Sequence, residues 1–81
     1  MQKALITTSQ IRAARALLRW SATDLSVASG IGISTIKRFE VMDGVPAINV
    51  STMLAIQKAL ESAGIEFIGS PDDRPGVRHK L

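Results

Sequence analysis

The chain contains no cysteine, no tyrosine and a single histidine. Without thiols, disulfide scaffolds, thiolate zinc sites and thiol redox chemistry are excluded. One imidazole, His79, supplies too few nitrogens for a clustered metal centre, and no cofactor or small-molecule ligand is expected. The aromatic residues are Trp20, Phe39 and Phe67 alone, so a platform for stacking single-stranded bases is not expected. Apolar runs fall well short of the ~20 residues needed to span a bilayer, and no membrane partner is expected. The opening Met1-Gln2-Lys3-Ala4-Leu5-Ile6 carries a charge but not the apolar stretch of a signal peptide. The expected compartment is the cytoplasm.

What is present is an 81-residue chain, 46% hydrophobic, a length for a single domain. A chain this size buries only about 60–65% of its unfolded surface, so one small core must hold it. A catalytic cleft of ~300–1,000 Å³ framed by two lobes is hard to build on that scale. Ten Lys and Arg against seven Asp and Glu give a net charge of +3, and these charges are unevenly placed. Residues 1–38 carry Lys3, Arg12, Arg15, Arg19, Lys37 and Arg38 against Asp24 alone, a balance of +5. Residues 39–81 carry Lys58, Arg74, Arg78 and Lys80 against Glu40, Asp43, Glu61, Glu66, Asp72 and Asp73, a balance of −2. The first half therefore favours a polyanionic partner, although a solvated charged helix face has the same composition.

Residues 1–8 show no helical period and read as an N-terminal arm. From Ser9, the spacing of Ile11, Ala14 and Leu18 with Arg12, Arg15 and Arg19 interleaved predicts a helix to about Arg19, capped by Thr8 or Ser9. Ser21-Ala22-Thr23-Asp24 is a capping box with Ser at the N-cap and an acid at N3. The helix it starts is brief, because Gly30 follows nine residues after the cap and fits a left-handed helix end. A third helix starts at residues 32–34, turns Ile36 and Phe39 inward, and ends at Asp43-Gly44. After a connector at 45–48, Asn49 or Ser51 caps a fourth helix with Met53, Leu54, Ile56, Ala59 and Leu60 along one stripe, stopped by Gly64. Residues 65–68 and 77–81 alternate as strands and predict a β-hairpin with a long loop at 69–76.

Residues 22–40 supply the spacing of a helix-turn-helix: Leu25 and Ser26, then Gly30 and Ile31, then Ile36 and Phe39. Close crossing of the two helices demands a small residue at 26 and a sharp turn at Gly30. Ile31, Ile36 and Phe39 then seal the second helix to the body.

Residues 9–60 resemble the Xre family of helix-turn-helix regulators, which includes the Cro and phage-repressor proteins. The resemblance is carried by Ile11-Arg12-Ala13-Ala14-Arg15, Ser21-Ala22-Thr23-Asp24-Leu25, Gly30-Ile31, Ser34-Thr35-Ile36-Lys37-Arg38-Phe39-Glu40 and residues 52–60. The tail Ala63-Gly64-Ile65-Glu66-Phe67-Ile68, with Gly76-Val77-Arg78, is similar to a short bacterial subgroup of that family. The resemblance implies a mainly α, four- to five-helix repressor-like domain with a C-terminal β-hairpin. It divides as arm 1–8, helical body 9–63 and β element 64–81.

The resemblance also implies sequence-specific binding of double-stranded DNA as a transcriptional regulator, with a recognition helix at about 33–42 in the major groove. Ile33, Ser34, Lys37 and Arg38 would face base edges. Arg38 or Lys37 would meet guanine, with Arg alone suited to a bidentate fork, and Ile33 a thymine methyl. Ser21, Ala22, Thr23 and Thr35 would lie on phosphates. Arg15 and Glu40 match an ion pair that ties the first helix to the third. The chain departs from the family pattern at 22, where Ala22 stands for the usual phosphate-gripping Gln, and at 26, where Ser26 replaces Ala. Its connector at 45–48 is uncharged, so backbone grip is weaker and binding is expected to need a homodimer.

Each residue has a bland reading as well. Arg12 and Arg19 serve a solvated helix face as readily as a phosphate, Trp20 reads as core, and His79 reads as an exposed strand residue. No nucleophile elbow or phosphate-binding Gly loop occurs, so an enzyme is not expected. A lone hairpin leaves exposed edges, which makes Ile65, Phe67, Val77, His79 and Leu81 candidates for a homodimer interface. The alternative function is a protein-binding module of antitoxin or antiactivator type, holding a regulatory partner protein on the helical body and apolar connector.

Overall fold

The computed structural model describes residues 6–80. Within them the chain is mainly α: α1 (Thr8–Leu18), α2 (Ala22–Ser29), α3 (Ile33–Glu40) and α4 (Val50–Ser62), followed by β1 (Ile65–Ser70) and β2 (Asp73–His79). The expectation of four to five helices resolves to four among the described residues.

Capping chemistry sets most helix starts. Ser21 begins α2 as anticipated: its Oγ accepts from the Asp24 N–H at 3.0 Å, and the Asp24 carboxylate accepts from the Ser21 N–H at 2.9 Å. Asn49, rather than Ser51, caps α4 through the Thr52 N–H at 2.8 Å. For α1 the expected caps are wrong. Thr7 is the N-cap, in a reciprocal box with Gln10, and Thr8 is already helical. The signal lay in the Thr7-x-x-Gln10 spacing, which the apolar period starting at Ile11 does not register. Of the arm expected at 1–8, Ile6 is buried in the core and Thr7 and Thr8 are buried beside it, while residues 1–5 lie outside the described residues.

Helix ends also shift. The first helix stops at Leu18, with Arg19 in the left-handed region at φ 59°. The third stops at Glu40 instead of reaching 42 or 43. Thr8 accounts for this: its Oγ1 donates to the Met42 carbonyl at 2.8 Å and its N–H to the Gly44 carbonyl at 2.9 Å. Those bonds turn the chain away from the helix axis and towards α1.

One core joins the elements. Ile6, Ile11, Ala14, Leu25, Ile36, Phe39, Met53, Ile56, Ala59, Leu60 and Ile65 form a single buried cluster. Each fully buried Leu, Ile or Phe in it contributes about 1.5–3 kcal/mol. Leu54, expected on the buried stripe of α4, is 47% exposed. It lies one position C-terminal to the core residue Met53, and the 100° step per residue carries it off that face.

The hairpin pairs Ile65 with His79, Phe67 with Val77 and Ser70 with Asp73, which leaves a two-residue turn at Pro71-Asp72. The long loop expected at 69–76 is thus mostly strand. A register shift between Ile68 and Ser70 absorbs the irregular stretch, and Gly69 at φ 75° makes it possible. A Cβ on Gly69 would sit 2.2 Å from the Arg74 carbonyl oxygen.

Strand alternation puts Ile65, Phe67, Val77 and His79 on one face, and that face packs on the helical body. Ile65 is fully buried, while Phe67 and Val77 lie against the core. Full burial removes Ile65 from the expected interface, whereas Phe67, Val77 and His79 are half-buried. The remaining candidate, Leu81, lies outside the described residues. His79, expected to be exposed, is half-buried, and its Nε2 is shielded from solvent with no partner among the described residues.

Candidate nucleic-acid interface

The turn between α2 and α3 is built from glycine and serine. Gly30 takes φ 76° and closes α2 through its N–H to the Ser26 carbonyl. The Ser26 hydroxyl donates to the Ile31 carbonyl at 2.6 Å, the Ser29 hydroxyl donates to the Leu25 carbonyl at 2.7 Å, and the Ile31 N–H returns to the Ser29 Oγ at 3.2 Å. Sequence reasoning required only smallness at 26. The structure adds a hydrogen bond that alanine could not make.

α3 is sharply two-sided. Ile36 and Phe39 are fully buried. Ser34, Lys37 and Arg38 are exposed, and Ile33 is half-buried beside them. Ile33 and Lys37 are one turn apart, as are Ser34 and Arg38, so the four candidates share the face opposite the core. Thr35 lies on the flank, half-buried. The N-cap, Gly32, makes no side-chain cap bond, and the first amides of α3 have no intrahelical acceptor.

The orientation of α3 is held by arginines from α1. Arg15 forks onto Glu40, with Nε to Oε2 at 2.8 Å and Nη2 to Oε1 at 2.7 Å, while its Nη1 donates to the Trp20 carbonyl at 2.9 Å. Their side chains retain 20% and 10% exposure. The pair expected from the sequence is therefore present, and it also ties in the junction between α1 and α2. Arg12, left open between solvent and phosphate, donates to the Glu40 carbonyl and to the Ser9 hydroxyl. It thereby places a cation on the C-terminal carbonyls of α3.

The start of α2 is less open to an anion than the sequence implied. The capping box already uses the N–H groups of Ser21 and Asp24 and places a carboxylate among them. Ala22 is half-buried against the core, whereas Ser21 and Thr23 are exposed. The amides of Ala22 and Thr23 remain, since the first turn of a helix leaves its donors unmatched.

Two features lie away from α3. Trp20 packs partly against the core, as its bland reading required, and it floors a cleft of about 510 Å³ between α2 and α4 that is lined also by Ala28, Ser29, Ala55, Lys58 and Ala59. On the outer face of the hairpin, Arg78 forks onto Glu66, with Nε to Oε1 and Nη2 to Oε2 each at 3.1 Å. Hydrogen bonding and charge from Arg78 hold the Glu66 carboxyl below its ordinary pKa, and Glu66 in turn raises Arg78.

No helix among the described residues is long and apolar enough to cross a membrane. Compared with protein-family models, with curated proteins and with solved structures, the chain finds a match in none of the three.

Proposed function

We propose that this chain is a double-stranded DNA-binding transcriptional regulator of the repressor-like, Xre type that its sequence resembles, acting in the cytoplasm without a cofactor or catalytic role. The observation that carries the reading is the division of α3. One face is locked to the body by Ile36, Phe39 and the Arg15–Glu40 fork. The other offers Ser34, Lys37 and Arg38 to solvent, with no hydrogen-bonding or ionic partner among the described residues. A rigid helix with a polar, basic outer face fits a major groove about 12 Å wide. Arg38 suits guanine and Ile33 suits a thymine methyl.

The reading includes a homodimer that addresses two half-sites roughly one turn, ~34 Å, apart. Because the body fully buries Ile65, such a dimer would use the strand edges, the exposed parts of Phe67 and Val77, or a helical surface. Selection of bound sequences from a random duplex pool tests the function directly. An enriched motif with two-fold symmetry is the expected result, and a pool that remains random at low salt overturns it.

A specific observation favours a second reading, the protein-binding module of antitoxin or antiactivator type. The cleft over Trp20 is walled by four alanines beside Ser29, Ser62 and Lys58, and Val27 on α2 and Leu54 on α4 are exposed at 80% and 47%. A salt titration against random duplex separates the two readings. A steep loss of affinity with salt belongs to DNA, and absence of binding belongs to a protein partner.

A further inference from the structure

The cations of the first half divide by what they touch. Arg15 is engaged by Glu40 and the Trp20 carbonyl, and Arg12 by the Glu40 carbonyl and Ser9. Arg19, Lys37 and Arg38 are exposed and have neither an acidic nor a carbonyl partner among the described residues. Arg19 differs from the other two in its backbone, at φ 59° and ψ 38°. That left-handed conformation disfavours a Cβ, and glycine is its usual occupant at a helix end. The fold would accept glycine more readily, yet the position carries an unpaired guanidinium.

Arg19 is also well placed. The next residue, Trp20, has its carbonyl clamped by Arg15, and the same guanidinium holds Glu40. Arg19 therefore directly precedes a junction that the Arg15 guanidinium ties to Glu40 at the end of α3. The start of α2 cannot serve an anion well by itself, because the Asp24 carboxylate sits in its capping box and Ala22 brings no polar group. Arg19 immediately precedes this junction and brings a cation to it from outside α2.

We propose that Arg19 is a backbone-phosphate contact for double-stranded DNA, flanking the base-reading face of α3. The proposal rests on the DNA-binding reading given above. It assigns Arg19 to affinity and register, while Arg38 and Ile33 carry sequence discrimination.

The test compares the full chain with Arg19→Gly and Arg19→Lys, each titrated against a random-sequence duplex at several salt concentrations, with thermal unfolding measured alongside. Arg19→Gly is expected to unfold at or above the wild-type temperature, since glycine relieves the left-handed backbone. Its affinity should fall about eightfold at 0.1 M salt, with a salt slope shallower by about 0.9, the value of one phosphate contact. Arg19→Lys should retain the wild-type slope. If Arg19→Gly does not fold, Arg19→Asn, which tolerates the same backbone, carries the comparison. An unchanged slope and affinity in a folded, uncharged variant overturns the contact and leaves the DNA reading intact. A wild-type chain that binds no duplex at low salt overturns both.

Discussion

The side-chain amide of Gln10 donates to the carbonyl of Gly76 at 2.9 Å, joining the first turn of α1 to β2. The same nitrogen reaches the Ile68 carbonyl at 3.2 Å, and the Oε1 accepts the Thr7 N–H at 2.8 Å. One buried side chain thus completes a helix cap and docks the hairpin. Substituting Gln10→Leu keeps volume but removes all three bonds. It should destabilise the chain by about 1–3 kcal/mol, because buried backbone groups are left unpaired. Urea denaturation monitored at Trp20 would measure this, and a change under ~0.5 kcal/mol would contradict the docking role.

The Arg15–Glu40 fork predicts an asymmetry between single and double substitutions. Arg15→Met leaves a carboxylate largely desolvated, at 10% side-chain exposure, and should cost about 3 kcal/mol. Adding Glu40→Leu removes the orphaned charge, so the double variant should recover a good part of that loss. A double variant no more stable than Arg15→Met alone would show that the pair contributes through packing.

Gly69→Ala should disrupt the hairpin turn. A Cβ there meets backbone, 2.2 Å from the Arg74 oxygen, and the φ of 75° already disfavours it. The expected cost exceeds ~1 kcal/mol. Amide exchange in β1 and β2 should accelerate more than exchange in α3.

On α3, Arg38→Ala should cost about 1–3 kcal/mol of discrimination at one base position if its guanidinium reads guanine. Competition between operator variants would resolve this. An equal loss on all sequences would reassign Arg38 to phosphate, and no loss from both Arg38→Ala and Lys37→Ala would remove α3 from the groove.

The Glu66–Arg78 pair gives a pH signature of known sign. Its folded carboxyl titrates below the ordinary value of 4.5, so the stabilisation is complete above that value. It is lost as pH falls through the lowered folded pKa. Wild type should therefore exceed Glu66→Gln in stability near neutrality, and the gap should close in acid. Exposure of 62% for Arg78 and 42% for Glu66 keeps the effect small and salt-sensitive. A gap that widens in acid would contradict the assignment.

What the sequence alone determined about this protein is its local order. Capping residues and left-handed glycines act through the nearest turn of backbone, so Ser21, Asp24, Gly30 and Asn49 were legible as boundaries, and Ile36 and Phe39 as the buried side of α3. The Arg15–Glu40 pair was legible only through resemblance, since nothing within either helix demands it. Tertiary structure decided what depends on distant partners. Thr8 bonds to Met42 and Gly44 and so shortens α3, and Gln10 docks a hairpin far along the chain. Packing on the helical body buries Ile65 fully and Phe67 and Val77 in part. Charge behaved likewise: composition counts cations, but only the fold separates Arg12 and Arg15, paired within the molecule, from Arg19, Lys37 and Arg38, which face solvent. A hydrogen bond or ion pair between residues far apart in sequence leaves no periodic trace in either segment.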